Sequence, residues 1–177
     1  MTTTPGAPSF APFAKGEIRC LILACGNTLR GDDGAGPWLA AWSEERFREE
    51  TGLRVVVRQQ WAPELAEEIA RAGSVLFIDC SVESDPGSVR IVDVQPAADT
   101  RGLATHHLGA PELLALGREL YDSLPRHAVL LTIGAGSTEL GEQFSEKVTA
   151  ALPDACALLE EMVLHFLTLP ESHPFST

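Results

Sequence analysis

Asp32, Asp33, Asp79, His106 and His107 are the side chains in this sequence with the right types to do chemistry together. Carboxylates and an imidazole form a mixed oxygen and nitrogen donor set, which suits nickel, zinc or a similar divalent ion. The same set can move protons to and from a water molecule. Asp33 and Asp79 are 46 positions apart, and His106 follows after another 27. No local periodicity joins such distances, so only a fold can bring these groups into one place. Each residue also has a plainer role open to it. Asp32 or Asp33 can cap a helix or favour a turn, and one of the paired histidines can simply lie on a loop. Asp79 ends an apolar run, where an ionised carboxylate must find donors or a cation.

The elements that would position these groups are legible as alternating patterns. Residues 18–25 are an apolar run that reads as a buried strand. A loop with Gly26, Gly31 and Gly34 follows and carries Asp32 and Asp33. A helix is expected from about Pro37 to Glu50, with Trp38, Leu39, Trp42 and Phe47 on the sheet and Gly52 ending it. A strand, leaving a glycine-rich turn for a helix, puts that turn at its carboxyl end, where open α/β sheets place their sites. The turn fails G-x-G-x-x-G and lacks the Lys-Ser/Thr of a P-loop, and its two aspartates would repel phosphate, which argues against a nucleotide site.

Further strands are expected at 53–59, 74–78, 89–94 and 128–133, the 89–94 strand at an edge. Between them, Pro63 opens a helix closed by Gly73, and Pro111 opens another behind the 95–107 loop. Ser145 caps a last helix that Pro153 should kink or split. Strands alternating with helices predict a three-layer α/β fold, a mainly parallel five-stranded sheet with helices on both faces. Residues 1–16 read as a disordered tail, 17–169 as a single α/β domain and 170–177 as a C-terminal tail.

Bulk properties narrow the partners. The 177 residues are 45% hydrophobic, enough for one domain with a proper core. A net charge of −12 argues against a nucleic-acid binder, which needs a basic face, and disfavours anionic membranes. No apolar run approaches a membrane span and no secretory signal opens the chain, so a cytoplasmic protein is expected. Cys20, Cys25, Cys80 and Cys156 show no C-x-x-C spacing and read as small buried hydrophobes.

The residues Gly26-Asn27-x-Leu29-x-x-Asp32-Asp33-Gly34-x-Gly36 resemble the N-terminal signature of the hydrogenase maturation protease family. Further matches follow in the family's order. They are the apolar Leu76-Phe-Ile-Asp79, the Thr105-His106-His107 ahead of a Leu-rich helix, and the 140–152 segment before the last helix. Two departures are Cys80, where the family commonly has Ala, and Ile133-Gly-Ala-Gly136, where it often has Gly-Ile-x-Pro. The resemblance implies an endopeptidase that removes the C-terminal extension of a nickel-loaded nickel–iron hydrogenase large-subunit precursor. It implies that Asp33, Asp79 and His106 are the metal ligands, with His107 the alternative to His106, and that Asp33 and Asp79 are catalytic. Nickel would be carried by the substrate, with zinc or cadmium able to replace it in crystals. The metal would either polarise the scissile carbonyl or only align the chain while an aspartate pair, with Asp32 as helper, activates water. Two other readings compete: a non-catalytic nickel-sensing checkpoint or binding protein of hydrogenase assembly, and a small-molecule hydrolase on a flavodoxin-like sheet.

Overall fold

The computed structural model describes residues 18–98 and 108–170. Five strands form one sheet: β1 (Ile18–Cys25), β2 (Leu53–Arg58), β3 (Ala72–Ser81), β4 (Val89–Asp93) and β5 (His127–Gly134). Their order is β2-β1-β3-β5-β4. All neighbours run parallel except β4, an edge strand antiparallel to β5. The chain reverses between β3 and β4 through the Ser84-Asp-Pro-Gly87 turn, with the Gly87 N–H donating to the Gly134 carbonyl at 2.8 Å. A chain that folds straight back can enter the sheet only antiparallel, which is why this one pairing differs.

Four helices cover the two faces: α1 (Ala35–Arg46), α2 (Leu65–Arg71), α3 (Ala110–Tyr121) and α4 (Glu146–Thr168). Alternate residues of the central strands feed opposite cores, as the pleat requires. Ile22, Leu76 and Leu131 pack with Leu39 of α1 and Leu159 and Phe166 of α4. Leu21, Leu23 and Phe77 pack with Leu65 and Ile69 of α2 and Leu113 of α3. This is the expected three-layer α/β sandwich, and the near-continuous apolar runs of β1 and β3 follow from burial on both faces.

Several element boundaries differ from the sequence expectation. Helix α1 stops at Arg46 rather than Glu50, because buried Phe47 turns the chain and its carbonyl accepts the Glu50 N–H at 2.8 Å. Gly52 therefore ends no helix; its carbonyl takes the N–H groups of Arg19 and Cys20. Trp38 is an exposed residue whose ring meets Phe144 edge-on, so it does not pack on the sheet. Gly73 does not close α2 but lies inside β3, which starts at Ala72 opposite Ile18. Pro153 leaves α4 a single 23-residue helix. Pro153 and Thr149 are both exposed, so the carbonyl left without its usual donor is on the wet side.

The topology designates a place for a site. From β1 the chain moves outward to β2 on one side, then returns to β3 on the other. The carboxyl ends of β1 and β3 therefore flank a crevice with no connection crossing it, where α/β proteins bind ligands. Helix α3 points its N-terminus toward the same end. Its other end is tied to the opposite end of the sheet, where the Ser123 hydroxyl donates to the Ala70 carbonyl, just before β3 begins, at 2.8 Å.

Candidate functional site

The loop after β1 is a tight 3-10 turn, Gly31–Gly34, leading directly into α1. It folds back so closely on β1 that two positions must be glycine. A Cβ on Gly26, which has φ +143°, would sit 1.9 Å from the Asp33 carbonyl oxygen. One on Gly36 would sit 2.3 Å from the Cys25 carbonyl oxygen. These contacts bring Asp33 over the end of β1, where its carboxylate accepts the Asn27 N–H at 2.9 Å.

The two adjacent acids of this turn have opposite fates. Asp32 is fully buried. Its carboxylate accepts the backbone N–H groups of Ser145 at 2.6 Å, Gly136 at 2.7 Å and Ser137 at 2.9 Å. Burial opposes its charge, but the donors at Ser145, Ser137 and Gly136 outweigh that and hold its pKa below the ordinary value. Asp32 thus fastens the loop between β5 and α4 to the turn after β1. With its oxygens committed in this way it is not the helper for water activation that the sequence suggested.

Asp79 lies near the end of β3 and faces Asp33 across the crevice closely enough for the two charges to interact. Burial pushes its pKa up to about 6. The Cys80 N–H at 2.8 Å and the Trp61 indole N–H at 3.3 Å work against that rise, and the Asp33 charge adds to it. Sequence reasoning passed over Trp61. Its only signal there was a large aromatic in the short polar loop between β2 and Pro63.

Two thiols border the same crevice. Burial, followed by the negative charges of the neighbouring aspartates, pushes both Cys25 and Cys80 up to about 12. At neutral pH they are neutral thiols and poor nucleophiles. The Cys25 thiol instead donates to the Gln59 carbonyl at 3.5 Å. All four cysteines are free; Cys20 and Cys25 are buried as expected, while Cys80 and Cys156 are only partly so.

Of the residues singled out in the sequence, the fold brings Asp33 and Asp79 together and separates Asp32 from them. His106 and His107 lie outside the described residues. Described chain resumes at Leu108, two residues before α3 begins at the crevice end of the sheet. Among the described residues no cluster of three or more His, Cys, Asp or Glu side chains is arranged to hold a metal ion. A pair of carboxylates, one with its pKa raised by burial and by a neighbouring charge, has the chemistry to accept either a proton or a cation. No helix among the described residues is long and apolar enough to cross a membrane.

No protein-family model matches the chain. Over 92 residues it is 34% identical to the hydrogenase 3 maturation protease of Escherichia coli K12. That match covers 50% of this chain and 57% of the relative, so it spans little more than half the length of the relative. A hydrogenase maturation protease HybD from Thermococcus kodakarensis superposes with a TM-score of 0.62 at 26% identity, over 82% of this chain and 99% of that one. The hydrogenase maturating endopeptidase HybD from E. coli gives a TM-score of 0.66 over 84% of this chain and 93% of that one; at 19% identity it speaks for the fold alone. In sequence across half the chain, and in fold across most of it, this protein is similar to hydrogenase maturation proteases.

Proposed function

We propose that this protein is an endopeptidase that removes the C-terminal extension of a nickel–iron hydrogenase large-subunit precursor. The observation that carries the reading is the meeting of Asp33 and Asp79 at the crevice between the ends of β1 and β3. In this reading nickel is part of the substrate. Asp33, Asp79 and His106 grip the metal already seated in the precursor and so hold the tail in register for cutting. Their donor chemistry fits that role, because hard carboxylates and an imidazole suit a divalent first-row ion.

The hydrolytic step needs a base for water and an acid for the departing amine. Before any cation is bound, burial raises the Asp79 pKa to about 6, so this carboxylate is more basic than an ordinary one. It removes a proton from water as the water oxygen bonds to the scissile carbonyl carbon. The carbon–nitrogen bond then breaks, and the same proton passes to the amine. Asp33 supplies the second negative charge that favours a cation in the crevice. The Cys25 and Cys80 thiols, protonated at neutral pH, take no part.

Incubation with a nickel-loaded precursor tests the proposal, with the product mass read by mass spectrometry. A single shortened product, formed by the wild-type chain and lost in Asp33→Asn and Asp79→Asn, supports it. Tight binding without cleavage would favour the nickel-sensing checkpoint instead. Normal cleavage by the two variants would remove these residues from the site.

A further inference from the structure

Trp61 occupies the loop between β2 and α2 and is partly buried. Its ring meets Phe77 edge-on, with centroids 5.6 Å apart and planes at 85°. Phe77 is fully buried in β3, two residues before Asp79. Residues two apart in a strand share a face, so the indole lies over Phe77 with its N–H directed along the strand to Asp79. The distance from Nε1 to Asp79 Oδ2 is 3.3 Å. The other oxygen, Oδ1, accepts the Cys80 N–H at 2.8 Å. Both oxygens therefore have a donor, one from backbone that cannot rotate and one from a ring seated on the core. The loop that carries Trp61 is itself tied down two residues earlier, where the Gln59 carbonyl accepts the Cys25 thiol at 3.5 Å.

Resting on the proposed function, we infer that Trp61 is a positioning residue of this site, its indole N–H fixing the rotation of the Asp79 carboxylate in the crevice. An aspartate with a free terminal torsion samples a broad range of orientations. One donor on each oxygen selects a narrow part of that range before substrate arrives. Small errors in the placement of a reacting group can cost as much as 10²-fold in rate.

The substitution Trp61→Phe tests this, because it keeps an aromatic ring on Phe77 and removes only the donor. The 177-residue chain has three tryptophans and so gives three indole N–H signals in a proton–nitrogen correlation spectrum. The signal lost in Trp61→Phe identifies Trp61. In Asp79→Asn that signal should move upfield by several tenths of a part per million, while those of Trp38 and Trp42 stay in place. On nickel-loaded precursor, Trp61→Phe should lower kcat/KM by about 10-fold or more with a melting temperature within about 3 °C of wild type. Unchanged kcat/KM in Trp61→Phe, or an indole signal indifferent to Asp79→Asn, overturns the inference. If the wild-type chain leaves the precursor uncut, the functional reading falls and takes the kinetic claim with it. The spectroscopic arm then still decides whether Trp61 holds Asp79.

Discussion

The ends of β1 and β3 each present an aspartate that the fold has withdrawn from water, and the two are treated in opposite ways. Asp32 is closed off from solvent, and three short backbone N–H bonds keep its pKa low. Asp79 has two donors, which do not compensate for burial and for the charge of Asp33, and its pKa rises to about 6. Donors, neighbouring charge and burial together decide which form a carboxylate takes. A fully paired carboxylate is a fastening. An incompletely paired one beside a like charge is poised to take a proton or a cation.

The largest expected effect comes from breaking the fastening. Asp32→Ala would leave three backbone N–H groups without an acceptor in the seam between two loops. The cost should be on the order of 3–5 kcal/mol, read as a lower urea midpoint at unchanged slope. If Asp32→Ala unfolded like wild type, the contrast between the two acids would fail.

Next in size is the loss of cleavage in Asp79→Asn, expected at about 10²-fold or more if this carboxylate moves the proton. The same substitution should have the reverse effect on stability. A folded pKa of about 6 against an ordinary 3.8 means that the native state binds more protons than the unfolded chain between those values. Stability from this group therefore falls as pH rises through that window, and Asp79 is a burden at neutral pH. Asp79→Asn should be more stable than wild type by about 1–2 kcal/mol at pH 7.5, with the difference shrinking as pH falls below about 6 and gone near 3.8. Asp32 runs the other way. Its pKa is depressed, so its contribution is present above 3.8 and is lost as pH falls through the folded value. Urea melts across pH 3 to 8 would separate the two slopes, and a single slope for both would erase the distinction.

The smallest effect should be at Cys80. Asp79 uses its backbone N–H, which alanine retains. Cys80→Ala should change stability by about 1 kcal/mol or less and leave precursor cleavage within about threefold of wild type. A larger loss would mean that the thiol itself contributes.

The comparison also explains what could be read without coordinates. Asp32 and Asp33 are neighbours of identical type, and either could have entered the crevice. The resemblance to known proteases favoured Asp33, but the reason lies in residues more than 100 positions away, the N–H groups at 136, 137 and 145. Trp61 was invisible for the same reason, because its acceptor is 18 residues off in another strand. Pro153 gave a correct chemical warning with the wrong consequence, since a missing N–H matters little on the solvent side of a helix.

By itself the sequence determined the layered α/β architecture and the glycine-rich turn after β1. These depend on local information: apolar runs, turn residues and backbone positions that tolerate no Cβ. Tertiary structure alone decided which acid became a fastening and which pair faces across the crevice. A carboxylate's state is set by the donors, charges and water around it, and those come from strands and loops that only the folded chain makes neighbours.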